Sequence, residues 1–213
     1  MTRAVRTLIR RLRASESGVA AVEFALTAPI VLTIFLSGAE LTNYTITKLR
    51  VSQIALHASD NGSRIGTMNS LSVKQISEAQ INDLLIGASL QAGSLDLLDR
   101  GKVVISSLEN DSAHAGKMTV HWQRCYGNKV YSSAYGSQGA NNLAYFGPPG
   151  KQITSVPSGG AVMYVEVAYN YKPLISSRLI PTATLTDVAT MVVRDQRDLT
   201  QVYNTENVTA STC

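Results

Sequence analysis

The sequence predicts an α+β protein in which a long N-terminal transmembrane helix packs on a small antiparallel sheet of about four strands. Three observations predict it. Residues 18–39 form an apolar run with one charge inside, Glu23, and about 20 such residues cross a bilayer as a helix. Leu41, Tyr44, Leu49, Val51, Ile54, Ala55 and Ala58 then continue as a stripe spaced mainly by three and four, the mark of an amphipathic helix. Finally, residues 161–172 alternate, with Val162, Tyr164, Glu166, Ala168 and Asn170 on one face and Met163, Val165, Val167, Tyr169 and Tyr171 on the other.

Hydrophobic residues make up 45% of the 213, too many for a disordered chain. The net charge of +4 is local. Arg3, Arg6, Arg10, Arg11 and Arg13 stand before the apolar run against Glu16 alone, and the rest of the chain balances at 14 basic and 14 acidic residues. A nucleic-acid binder carries its positive charge on the folded domain; here the charge sits on a tail, where it holds the N-terminus in the cytoplasm. The expected organisation is a leader and cytoplasmic segment at 1–18, a transmembrane and amphipathic helix at 19–60, and an extracytoplasmic α+β domain at 61–213. No nucleic-acid partner is expected.

Along the chain, Pro29 removes one backbone donor inside the first helix, which a membrane helix tolerates. Asp60-Asn61-Gly62 reads as its stop. Asn69-Ser70 or Ser72 would cap a second helix, with Val73, Ile76, Ala79, Gln80, Leu84, Leu85 and Ala88 as its stripe to about Leu90. Residues 102–108 and 117–124 read as strands joined by a polar hairpin loop. In the second, Met118, Val120 and Trp122 alternate with Thr119, His121 and Gln123. Residues 125–160 are rich in Gly, Ser, Asn, Tyr and Pro and read as a long surface loop, a type that tends to be functional or mobile. Tyr126, Tyr131, Tyr135 and Tyr145 either form a contact surface for a partner or pack locally. Pro173 ends the 161–172 strand, residues 174–180 suggest a short helical turn, and residues 184–193 suggest the last strand. The polar tail has no reason to be ordered unless Cys213 ties it down.

Cys125 and Cys213 are the two cysteines. In an exported domain one pair suggests a disulfide; two free thiols, or bonds between chains, are the alternatives. His57, His114 and His121 lack metal-ligand spacing. Neither a phosphate loop nor a hydrolase or zinc-protease motif occurs, and Glu166 has no partner carboxylate for acid–base work. The expectation is therefore no enzyme, no metal, no cofactor and no small-molecule substrate. Glu23 is the candidate site residue, because a charge at membrane depth costs about 2.5–3.5 kcal/mol and is retained for a purpose. An ordinary signal anchor, or a secretory signal cut after Ser37-Gly38-Ala39, are rival readings of the same stretch.

Ser17-Gly18-Val19-Ala20-Ala21-Val22-Glu23-Phe24-Ala25-Leu26, behind an Arg-rich leader, resembles the start of the TadE/TadG-like family of tight-adherence (Flp, type IV) pilus proteins. Gly38-Ala39-Glu40 and the late cysteines also resemble that family. The resemblance implies a pilin-like fold and cleavage between Gly18 and Val19 by a prepilin peptidase. It further implies that Glu23 and Phe24 serve subunit assembly, with other pilins and pilus-assembly proteins as partners. It implies a single-pass protein of the bacterial inner membrane with a periplasmic C-terminal domain, and incorporation into a surface pilus as a further expectation. Major subunits of such pili are little more than the helix, so the added domain suggests a minor pilin or pseudopilin that aids assembly and adhesion. The physical reading agrees: a cut after Gly18 creates an amine about one helical turn from Glu23, and the carboxylate of one subunit can meet the amine of the next. The alternative is a signal-anchored periplasmic binding or catalytic domain unrelated to pili.

Overall fold

The computed structural model describes residues 5, 7, 9–11, 17–68, 73–175 and 182–213. Helix α1 spans Ser17–Arg64. It is followed by β1 (Thr67–Met68), β2 (Lys74–Gln75), α2 (Glu78–Ala92), a 3-10 turn (Gly93–Leu95) and α3 (Leu97–Arg100). The chain ends with β3 (Gly101–Asn110), β4 (Met118–Tyr126), β5 (Ala161–Asn170) and β6 (Thr184–Val192). Strands β1 and β2 pair with each other, and the main sheet runs β4-β3-β5-β6, antiparallel throughout. The expected class, a long apolar helix with a four-stranded antiparallel sheet, is the class observed. The chain forms two compact units, residues 1–43 with 173–181, and residues 44–172 with 182–213.

In the first unit, α1 shows apolar side chains on every side: Val22, Phe24, Leu26, Ile30, Ile34 and Phe35 are all exposed. Pro29 lies inside the helix without ending it. Thr27, Thr33 and Thr42 donate their hydroxyls to the carbonyls of Glu23, Pro29 and Gly38 at 2.9, 2.7 and 2.8 Å, so their polar atoms are satisfied within the helix, as a lipid environment requires. Residues 5, 7 and 9–11 of the leader are helical, where no helical period is visible in the sequence.

In the second unit, α1 from Tyr44 onward buries one stripe, Val51, Ile54, Ala55 and Ala58. The expected stop at Asp60-Asn61-Gly62 is overridden, because the helix runs on to Arg64. Gly62 serves close approach instead: a Cβ there would stand 2.9 Å from Ile105 Cδ1 of β3. Asp60 pairs with Arg64 one turn later at 3.0 Å. Buried Arg197 donates to the carbonyls of Gly62, Ser63 and Ile65 at 3.3, 3.2 and 2.7 Å and so caps the helix C-terminus with a positive charge. Its burial pulls its pKa down to about 10.

The second helix starts later than its stripe suggests. Val73 and Ile76 precede it, and Lys74–Gln75 form β2. Ser77 is the N-cap, in a capping box with Gln80. Asn69, Ser70 and Ser72, the caps expected from the sequence, lie outside the described residues. Glu78 in the first turn makes a buried fork with Arg124 of β4, Nε donating to Oε2 at 2.9 Å and Nη2 to Oε1.

Strands β3 and β5 are buried on both faces. One face takes α1 and α2; the other takes the long loop. That loop is no free surface feature. Phe146 and Val156 bury themselves with Leu108, Met118, Val120, Val162 and Tyr164 in a second core, and Tyr135 meets Phe146 and Tyr164 edge-on at 5.9 and 6.1 Å. The simple alternation expected in β4 also fails. A bulge between Ser107 and Leu108 pairs them with Trp122 and Val120, leaving His121 unpaired and turning Trp122 to the face opposite Val120. The tail is ordered by more than its cysteine: Lys74 N–H donates to Gln196 O, Asp198 N–H to Lys74 O, Tyr203 N–H to Ile76 O and Cys125 N–H to Ser211 O. Leu174 and Ile175 form a bend, and the rest of the expected helical turn, residues 176–180, lies outside the described residues.

Candidate processing and assembly site

The residues singled out in the sequence stand on the first turns of α1. Gly18 is helical, and nothing lies within 4 Å of the point a Cβ would occupy. A helical glycine costs about 1 kcal/mol relative to alanine, so this is an easy place to unwind into an extended segment. Val19 is 60% exposed and Phe24 73%. Glu23 follows Val19 by four residues, about 6 Å along the axis, so the two share a flank. Phe24 points about 100° away from Glu23 around the helix. Among the described residues Glu23 makes no ion pair. Val19 and Glu23 thus share one exposed helical flank, and Gly18, five residues before Glu23, lies about 140° around the helix from it.

Cys125 and Cys213 are joined by a disulfide across a sequence separation of 88. Beside it lies a cleft of about 330 Å³, lined by Lys102, Gln123, Tyr131, Ser133 and Gln138 among others. Lys102, Gln123 and Gln138 of its lining already have partners. Lys102 donates to Gly127 O at 3.1 Å, Gln123 to Ser106 Oγ at 2.9 Å and Arg124 to Gln138 Oε1 at 2.9 Å. Two of the three histidines are similarly engaged: His114 Nδ1 lies 2.8 Å from Asp111, and His121 Nδ1 2.8 Å from Glu109. Among the described residues no three His, Cys, Asp or Glu side chains gather as a metal site would need.

Residues 18–60 match the family model described as TadE-like protein. The TadE-like stretch begins at Gly18, the residue before the expected cut, and contains the whole apolar run. It points to tight-adherence pilus systems as the setting, and the family is structural and pilus-associated. The part of α1 after Gly18 includes a segment long and apolar enough to cross a membrane, and no residue of that segment is buried. No curated protein and no solved structure matches the chain.

Two carboxylates matter besides Glu23. Glu40, at the end of the apolar run, is fully buried. Its Oε1 accepts the Leu174 N–H at 3.1 Å and its Oε2 the Ile175 N–H at 2.7 Å. Its signal was the abrupt return of charge after residue 39. Glu166 is buried under the long loop, where Tyr131 Oη donates to Oε1 at 3.1 Å. Among the described residues its Oε2 and the Tyr164 hydroxyl have no hydrogen-bond partner. Burial raises the Glu166 pKa, while the nearby Ser133 and Tyr131 hydroxyls pull against it.

Proposed function

We propose that the chain is a minor-pilin or pseudopilin-like component of a bacterial tight-adherence pilus that aids assembly and, through it, surface adhesion. It acts without an enzymatic centre of its own. The first half of α1 anchors it in the inner membrane, with the arginine-rich end in the cytoplasm and the disulfide-bonded domain in the periplasm. A prepilin peptidase cuts between Gly18 and Val19. Glu23 then meets the new amine of a neighbouring subunit and sets axial register, with Phe24 packing beside it.

The observation that carries this reading is the helix itself: a TadE-like match starting at Gly18, on a stretch whose apolar side chains have no cover from their own chain. The rival, an anchored binding or catalytic domain, draws less support. The cleft beside the disulfide is at the low end of ligand-pocket volumes, and Lys102, Gln123 and Gln138 in its lining are already hydrogen-bonded within the chain. N-terminal sequencing of mature protein tests the proposal. A start at Val19 is expected, with Gly18→Leu accumulating the uncut form. An intact Met1, or a start after Ala39, overturns it.

A further inference from the structure

Glu40 stands where the apolar run ends. Residues 18–39 span about 33 Å as a helix at about 1.5 Å per residue, close to the roughly 30 Å of a hydrocarbon core. Glu40 is therefore the first charged side chain past bilayer length, and it is 0% exposed although Leu36 and Leu41 beside it are exposed. The connection between β5 and β6 helps bury it. Two successive backbone N–H groups, from Leu174 and Ile175, each donate to one oxygen of the carboxylate, a charge-assisted clamp. With their amides held toward the helix, Leu174 and Ile175 leave their side chains outside, 65% and 40% exposed. Two aliphatic side chains are thus fixed, by a helix carboxylate, at the level where the apolar run stops.

We infer that Leu174 and Ile175 form a lipid contact at the boundary of headgroups and acyl chains in the leaflet from which α1 emerges, with Glu40 as the positioning residue that holds them there. The inference rests on reading α1 as membrane-spanning. A bilayer suits the site because the level of the clamp follows from the length of the span, and because the clamp supplies Glu40 with the donors that a carboxylate near the hydrocarbon edge needs. Burying apolar side chains at that boundary is favourable in proportion to their area.

The test uses the full chain, with its disulfide intact, in vesicles of phosphatidylethanolamine and phosphatidylglycerol. A nitroxide is attached through Leu174→Cys, with Phe35→Cys and Tyr145→Cys as references. Phe35 is 70% exposed within the apolar run and Tyr145 58% exposed on the domain. Collision rates with oxygen, which enters lipid, and with a water-soluble nickel complex are read. The expected nickel rate at position 174 is several-fold below that at 145, with an oxygen rate above that at 145, and Glu40→Gln returns both toward the values at 145. Nickel access at 174 equal to that at 145, with position 35 protected, overturns the inference while the span stands. Nickel access at both 35 and 174 overturns the span and the inference together. Protection at 174 from both probes means protein cover, not lipid, and also overturns it. Unchanged protection in Glu40→Gln removes the positioning role of Glu40.

Discussion

One helix solves two different problems along its length. In residues 18–39 of α1 the apolar side chains point every way and nearly all are exposed; from Tyr44 onward Val51, Ile54, Ala55 and Ala58 form one buried stripe, while Ile46, Leu49 and Leu56 stay outside it. The first pattern suits a surrounding that is apolar on all sides, and the second a single packed face. Ile34 and Ile54 have the same side chain, yet one is 68% exposed and the other 2%. The period of the pattern, more than the hydrophobicity itself, tells what covers a helix.

The sharpest way to break this comparison is to place the same charge in each half. Ile54→Asp buries an unpaired carboxylate, a change in the class that costs more than about 3 kcal/mol. Limited proteolysis should show an unfolded domain that still resists carbonate extraction from membranes. Ile34→Asp should do the reverse, leaving the domain resistant and weakening membrane integration. Equal behaviour of the two variants would mean the halves do not differ in what covers them.

Cys213→Ser comes next. In the chain-entropy model a closed loop of about 100 residues is worth roughly 4–5 kcal/mol, with measured gains often smaller. The thermal midpoint of the domain should fall, by as much as about 10 °C, while membrane integration is untouched. An unchanged midpoint would show that the backbone bonds of residues 196–211 alone hold the tail.

The smallest effect belongs to Glu166. Its pKa is raised in the folded protein by burial, so its contribution to stability is present below the unfolded-state pKa and is lost as pH rises through the folded value. Glu166→Gln removes that loss. The variant should match wild type near pH 4 and melt above it at pH 8. Parallel curves at every pH would mean that Glu166 does not titrate in a buried site.

Much of this was legible. Residues 18–39, the stripe of Val51, Ile54 and Ala58, the β3–β4 hairpin and β5 are periodic, and period reads directly as element and face. What was not legible depends on partners distant in sequence. Gly62 reads as a stop until Ile105 is seen against it and Arg197 is seen capping the carbonyls beyond. The capping box at Ser77 and Gln80 was visible as a spacing, but earlier serines competed with it. The bulge that turns Trp122 over leaves no mark in an alternating strand. The Tyr/Gly-rich loop has a loop's composition, and only its few apolar residues, Phe146 and Val156 above all, hint that it covers a sheet face. Of the site, Val19 and Glu23 share a flank by spacing alone, whereas the clamp on Glu40 joins residues 134 and 135 apart.

The bridge from Cys125 to Cys213 encloses the whole of the long loop, β5 and β6. A single cut by a protease anywhere inside that span therefore severs the chain without parting it. The two pieces remain one covalent molecule, still threaded through β3–β5 pairing, and the nicked chain keeps its sheet joined to α1. Loss of the domain requires a second event, either reduction of the bridge or a cut on the helix side of Cys125.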